Sequence, residues 1–571
     1  MKLSAVTAER AGPQAPALPV EPVGDAVARA LADLDVTTAF GVISIHNMPI
    51  LDAMARHGRI RFVPARGEAG AMNMADAYSR VSRKLGVVIT STGTAAGNAA
   101  GSQVEALTAG SSVLHITTQV DSEFVDRDRA AIHDVPRQPG MLKAISKSYL
   151  RVREPAAAVD TLINAVTQAL TAPAGPVSLE IPVDVQRAHT TRRQRPAMSA
   201  IALKQPDAAQ LDAAAARVVR ARRPLLWLGG GSRGAGEAAT AVAERGFGVV
   251  TSTNGRAVVA EDHPHSLGAF NMTREASDIY AQSDLMIVAG SRLRGNETHN
   301  NRMKLPPIVQ IDADPALAGR NYPVELFVAG DARLALEGLL ERLPVALDTD
   351  AAFLSAIASA RAQAKAGLRA GLGPYAVLAD VLSQRVFEGR HPWVRDVTIS
   401  NSTFGNRYVR LAAPHLGVHA LGGGIGQGIA MSIGAALAGT PAKTVALIGD
   451  GGAQLMLGEL ATAVEAQAGV VFILMNDRGY GVIRNIQDAQ YAGRRSYADL
   501  LTPDFGLVCR AVGLAHQRVV DIAAFGDVFE RALAMPGPYM IEVDMERIGP
   551  FSQRFSGPPA GAAGERSLAA S

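Results

Sequence analysis

The chain holds a single cysteine, Cys509, among 571 residues. An intramolecular disulfide is therefore excluded, and the composition suits a reducing compartment. No apolar run approaches the roughly 18 residues needed to cross a bilayer, and Met1 to Pro22 has no apolar core of the kind a secretory signal carries. We expect a cytoplasmic protein without a membrane partner. Charge of one sign is lacking too. Lys plus Arg number 56 against 53 Asp plus Glu, an excess too small to mark a nucleic-acid partner. There is no short-period repeat. What remains, 48% hydrophobic and 19% charged residues, describes a globular enzyme with about three or four domain-sized units.

The patterning divides the chain into three α/β units, each an αβα layer expected to carry a parallel sheet. Short apolar runs alternate with helical stripes such as Val27, Leu31 and Leu34. The expected order is an N-terminal tail at 1–22, a first domain at 23–185, a polar linker at 186–204, a Rossmann-like central domain at 205–343, a third domain at 374–548 and a mobile tail at 549–571. The central domain contains a formal dinucleotide fingerprint, Gly229-Gly230-Gly231-Ser232-Arg233-Gly234. The next strand ends in Thr251-Ser252-Thr253-Asn254, without the acidic residue a ribose needs, so a nicotinamide enzyme is disfavoured.

The chemistry concentrates in the third domain. The β-branched run from Thr444 leads into Ile448-Gly449-Asp450-Gly451-Gly452, where the glycines admit phosphate close to the backbone. A second apolar strand, Val470 to Met475, leads into Asn476-Asp477. The 27-residue spacing of Asp450 and Asp477 leaves room for one helix and a return strand, so both oxygens can converge at the carboxyl ends of neighbouring parallel strands, where a hard cation fits. Alone, Gly-Asp-Gly is also an ordinary strand-to-helix turn.

Taken together, the pattern resembles the signature of thiamine-diphosphate enzymes of the acetolactate synthase, benzoylformate decarboxylase and benzaldehyde lyase superfamily. Asp477 stands where the family motif has a second Asn. The resemblance implies Mg²⁺ ligation by Asp450, Asp477 and the carbonyl of Gly479, with Gly449, Gly451, Gly452, Tyr480 and Gly481 completing the diphosphate side. The first domain then becomes the pyrimidine-binding unit and the third the diphosphate-binding unit. Glu68, opening the helical stretch after Phe62-Val63-Pro64, matches the carboxylate that bonds N1′ of the aminopyrimidine. Val87 to Asn98, a strand, a small-residue turn and a helix entry, matches a segment that packs close to the cofactor. In Gly422 to Gly428, Ile425 matches the wedge that bends the cofactor, and the Gly423 carbonyl the acceptor for its 4′-amino group.

The resemblance also implies a substrate side. His46 falls where benzaldehyde lyase has an active-site histidine and could shuttle protons. Ile45 falls where pyruvate decarboxylase has an aspartate, and Ser91-Thr92 stands where that enzyme has paired histidines, which argues against a simple pyruvate decarboxylase; Ser91 likewise replaces the benzoylformate decarboxylase histidine. His133, Gln138 and Thr403 are further substrate candidates. The expected activity is decarboxylation or carboligation of a 2-oxo acid, with an aldehyde as acceptor, by a homodimer or homotetramer. Two alternatives stay open: a C–C lyase or hydrolase that releases no CO₂ (on a 2-hydroxyacyl-CoA, acyloin or dione), and a noncatalytic homologue. FAD in the central domain is compatible with the family but is not required.

Overall fold

The computed structural model describes residues 19–192 and 200–555. It contains three parallel sheets with helices between their strands. In spatial order the first sheet runs Arg61–Pro64, Thr38–Gly41, Gly86–Thr90, Val113–Gln119, Val177–Pro182 and Ser148–Arg151. The central sheet runs Gly248–Thr251, Pro224–Leu228, Leu285–Ala289, Ile308–Asp312 and Leu326–Ala329. The third runs Gly417–His419, Trp393–Arg395, Thr444–Gly449, Val470–Asn476, Tyr539–Asp544 and Ala515–Val519. Interior strands such as Val470–Asn476 are buried at every position, so they read as continuous apolar runs rather than alternating ones.

The first and third domains share one core. Helix Glu68–Ser82 packs on helix Gly428–Ala436, and Met72, Met74, Ile429 and Ile433 of the two are fully buried together. The helices can approach so closely because residue 434 is glycine: a Cβ there would lie 2.0 Å from the Met74 carbonyl oxygen.

Three segment expectations differ from the structure. Val20–Pro22, assigned to the tail, pairs antiparallel with His189–Thr191 from the expected linker, so the two ends of the first domain are tied to each other. Residues 1–18 and 193–199 of those segments lie outside the described residues. The start of the expected mobile tail is packed: Phe551 is buried 4.6 Å, centroid to centroid, from Tyr375, and Gln553 N–H donates to the Gly371 carbonyl at 2.8 Å. Residues 556–571 lie outside the described residues. The interval left unassigned between the second and third domains is mostly one helix, Ala351–Gly371.

Candidate active site

In-register pairing of Thr444–Gly449 with Val470–Asn476 sets Gly449 beside Met475, so Asp450 and Asp477 emerge from adjacent strand ends. Asp450 is fully buried. Its Oδ1 accepts from Asp477 N–H at 3.2 Å and its Oδ2 from Thr502 Oγ1 at 3.2 Å. Burial, reinforced by Asp477, pushes the Asp450 carboxyl up to about 7. The Gly479 carbonyl lies where a Cβ on Gly451 would approach it to 3.0 Å, and that Cβ would also strike the Tyr480 ring at 2.7 Å. A Cβ on Gly481 would lie 1.9 Å from Asp477 Oδ2. Two neighbouring carboxylates and a backbone carbonyl form an all-oxygen donor set with excess negative charge, which fits a hard divalent cation. The acidic residue in place of the family's Asn has a local counterion: Arg484 Nη2 lies 2.9 Å from Asp477 Oδ2.

Gly452 faces a carboxylate that sequence reasoning missed. Asp396, at the end of Trp393–Arg395, is buried and accepts from the N–H groups of Val397 at 2.7 Å, Gly426 at 3.0 Å and Gly428 at 3.2 Å. It thereby shapes the glycine-rich turn carrying Gly423, whose φ is +80°, and Ile425, which is 40% exposed. Burial raises Asp396 to about 6 against those donors. A second missed carboxylate, Glu105, lies beneath the same turn. It accepts from Leu421 N–H at 2.7 Å, Gly422 N–H at 2.6 Å and Arg80 Nη2 at 2.9 Å.

Glu68 opens its helix, and its Oε2 accepts from Asn98 Nδ2 at 3.1 Å. The start of that helix is fixed by Glu459 of the third domain, which takes N–H bonds from Arg66 and Gly67, each at 3.1 Å. A Cβ on Gly70 would clash with Glu459 at 2.1 Å. The recorded partner of Glu68 thus lies in its own domain, while Gly423, Ile425 and Asp450 belong to the third.

The substrate candidates divide. His46, Ser91 and His133 come together: His46 Nδ1 lies 3.2 Å from Ser91 Oγ, and the His46 and His133 rings meet edge to face at 5.3 Å. Burial, and then the neighbouring His133, hold His46 below the usual imidazole value. Ile45 is 57% exposed beside them. Gln138 is corrected from substrate contact to internal tie. Its Oε1 accepts from Thr92 Oγ1 at 3.1 Å and Gly93 N–H at 2.6 Å, and its Nε2 donates to Glu180 at 2.7 Å. The half-buried Thr403 donates its hydroxyl hydrogen to the carbonyls of Ile399 and Ser400, both at 3.0 Å, which leaves its oxygen able to accept.

In the central domain, close packing alone demands glycine at 229 and 231. A Cβ on Gly229 would meet the Gly290 carbonyl at 2.2 Å, and one on Gly231 the Gly290 Cα at 2.9 Å. A cavity of about 510 Å³ opens alongside, between the first and central domains, with Lys147, Arg292, Arg320, Asp312 and Asp314 among its lining.

This fold and this strand-end site define a thiamine-diphosphate enzyme. Three family profiles match in order: the N-terminal TPP binding domain of thiamine pyrophosphate enzymes over residues 22–141, their central domain over 211–339, and their C-terminal TPP binding domain over 399–543. The chain is 30% identical to "Probable 2-ketoarginine decarboxylase AruI" of Pseudomonas aeruginosa, over 92% of this chain and 95% of that protein. It therefore belongs to this family. It is also 26% identical to "Probable acetolactate synthase large subunit" of Methanocaldococcus jannaschii, over 91% of each chain. A 28% identity links it to "Acetolactate synthase large subunit" of Corynebacterium glutamicum, over 86% of this chain and 82% of that one.

Proposed function

We propose that the chain is a thiamine-diphosphate- and Mg²⁺-dependent decarboxylase or carboligase acting on a 2-oxo acid. The observation that carries this reading is the pair of carboxylates at adjacent strand ends, buried Asp450 and half-buried Asp477, both raised chiefly by burial, with the Gly479 carbonyl beside Gly451. A noncatalytic homologue has no use for two carboxylates crowded at one strand end with a single arginine, Arg484, beside them. Asp450, Asp477 and Gly479 would hold the cation. Bound thiamine diphosphate would supply the electron sink for breaking the bond between a carboxylate and a 2-carbonyl.

The protein's own groups then have distinct tasks. Glu68, oriented by Asn98, holds a proton at N1′ of the aminopyrimidine. The Gly423 carbonyl, on a turn shaped by Asp396 and Glu105, accepts from the 4′-amino group. His46 is kept neutral by burial, and Ser91 engages one ring nitrogen, which leaves the other to exchange a proton with a substrate oxygen. In enzymes of this family the domains that carry Glu68 and Asp450 pair across subunits, so the proposed site is completed by a second copy of the chain, as a homodimer or homotetramer.

The test is CO₂ release from a panel of 2-oxo acids, including pyruvate and 2-ketoarginine, with thiamine diphosphate and Mg²⁺. Each acid is assayed with and without an aldehyde acceptor and beside Glu68→Gln. Release by the wild type alone is expected. No release from any acid by protein that binds the cofactor saturably would overturn the proposal in favour of lyase or hydrolase chemistry.

A further inference from the structure

A second cavity lies where all three domains meet. Helix Glu68–Ser82 ends at Arg83, held in the left-handed region at φ 61°, with Lys84 next. The turn Gly110–Ser112 of the first domain, Arg233 of the central domain and His415 of the third close around these residues, enclosing about 160 Å³. One water needs only about 10–15 Å³ measured this way, so the space admits a polyatomic ion.

The lining is cationic without an acid among its residues: Arg80, Arg83, Lys84 and Arg233 face it, with His415. The nearest carboxylates are already committed. Asp76 and Glu105 bind Arg80 at 2.6 and 2.9 Å. Among the described residues Arg233 is bonded only to neutral acceptors, the carbonyl of Asn254 at 2.9 Å and its side-chain oxygen. Among the described residues, the side chains of Arg83, Lys84 and His415 have no hydrogen-bond or ion-pair partner. The local field is felt by the groups within it: His415 is held below its usual value by burial, then by Arg83, Arg390 and Arg233.

We propose that this three-domain cavity binds a phosphate-sized oxyanion, held by Arg83, Lys84 and Arg233 with the hydroxyls of Ser111 and Ser112. Guanidinium and ammonium groups converging on one small space, with hydroxyl donors beside them, match the charge and acceptor count of a phosphate or phosphoryl group. Convergence from three domains makes the ion a cross-link between them. The site is also wired to the cofactor turn: Arg80, in its floor, donates to the His419 carbonyl at 2.6 Å and shares Glu105 with Leu421 and Gly422.

The test uses holoenzyme saturated with thiamine diphosphate and Mg²⁺, so that the diphosphate site is filled, at ionic strength held constant with chloride. Inorganic phosphate is titrated while the thermal midpoint is followed, in wild type and in the surface double variant Arg83→Met/Lys84→Met. A saturable rise in the wild type that is abolished in the variant, with turnover without phosphate unchanged, is expected. An AMP arm separates the sources. Saturation by AMP at lower concentration than phosphate, again lost in the variant, assigns the site to the phosphoryl group of a larger ligand, whereas a response to phosphate alone assigns it to the free ion. No rise beyond chloride, or an equal rise in the variant, would overturn the proposal.

Discussion

Replacing Glu105 by Gln tests how the first domain holds the cofactor turn. The Glu105 carboxylate is 2% exposed and accepts two backbone N–H bonds, from Leu421 and Gly422, and one from Arg80. Glutamine keeps the shape but offers one acceptor oxygen, and its NH₂ then faces a donor. Hydrogen bonds to a charged group are worth about 1.5–3 kcal/mol each, and breaking a buried ion pair costs about 3–5 kcal/mol. Arg80 keeps Asp76 at 2.6 Å, which places the loss at the lower end, about 3 kcal/mol. If one or both N–H bonds maintain the turn in its binding shape, cofactor affinity should weaken by about 10- to 100-fold. Thiamine diphosphate titration followed by fluorescence reads the affinity, and calorimetry of the apoprotein reads the stability. A variant with unchanged cofactor Kd and unchanged unfolding would refute the role given to Glu105.

Three further outcomes are expected. In metal-free protein, Asp450 binds its proton more tightly folded than unfolded. Its contribution is therefore fully present below about pH 4 and lost as pH rises through about 7, a slope worth on the order of 4 kcal/mol at most. Asp450→Asn should flatten that slope in chelator-treated unfolding scans while abolishing Mg²⁺-dependent cofactor binding; an unchanged slope would contradict the burial argument. Gly434→Ala places a Cβ 2.0 Å from the Met74 carbonyl, and the overpacking, about 1–3 kcal/mol, should outweigh the roughly 1 kcal/mol gain in helix propensity; a more stable variant by thermal melt would show that the two helices can separate cheaply. The His46 ring should titrate below 6.5 by NMR, and His133→Ala should move its midpoint upward; a midpoint above 6.5 would remove the neutral imidazole from the account.

What could be read from the sequence was local. Asp450 and Asp477 declare themselves because each ends an apolar strand at a spacing that one crossover explains, and the parallel register then brings them together. Glu68 was readable as the acid that opens a helix. The groups that support these residues left no local trace. Glu105 meets Leu421 across 316 residues, Thr502 reaches Asp450 across 52, and Asp396 is a lone acid after a three-residue strand. Gln138 and Thr403 looked like substrate contacts because they are polar residues near the cofactor side. Only the fold reveals that the Gln138 amide is tied to the Gly93 turn and Glu180, and that the Thr403 hydroxyl donates to the carbonyls of Ile399 and Ser400. The strand His189–Thr191 was hidden in a polar stretch because its pairing partner lies near the other end of the domain.

The central claim, that Glu68 activates thiamine diphosphate bound at the Asp450 site, is tested most directly by exchange of the cofactor's C2 hydrogen for deuterium on the enzyme, quenched and read by NMR. The account predicts exchange far faster than in free thiamine diphosphate for the wild type, and its collapse in Glu68→Gln with cofactor binding retained. Equally fast exchange in the variant would contradict it.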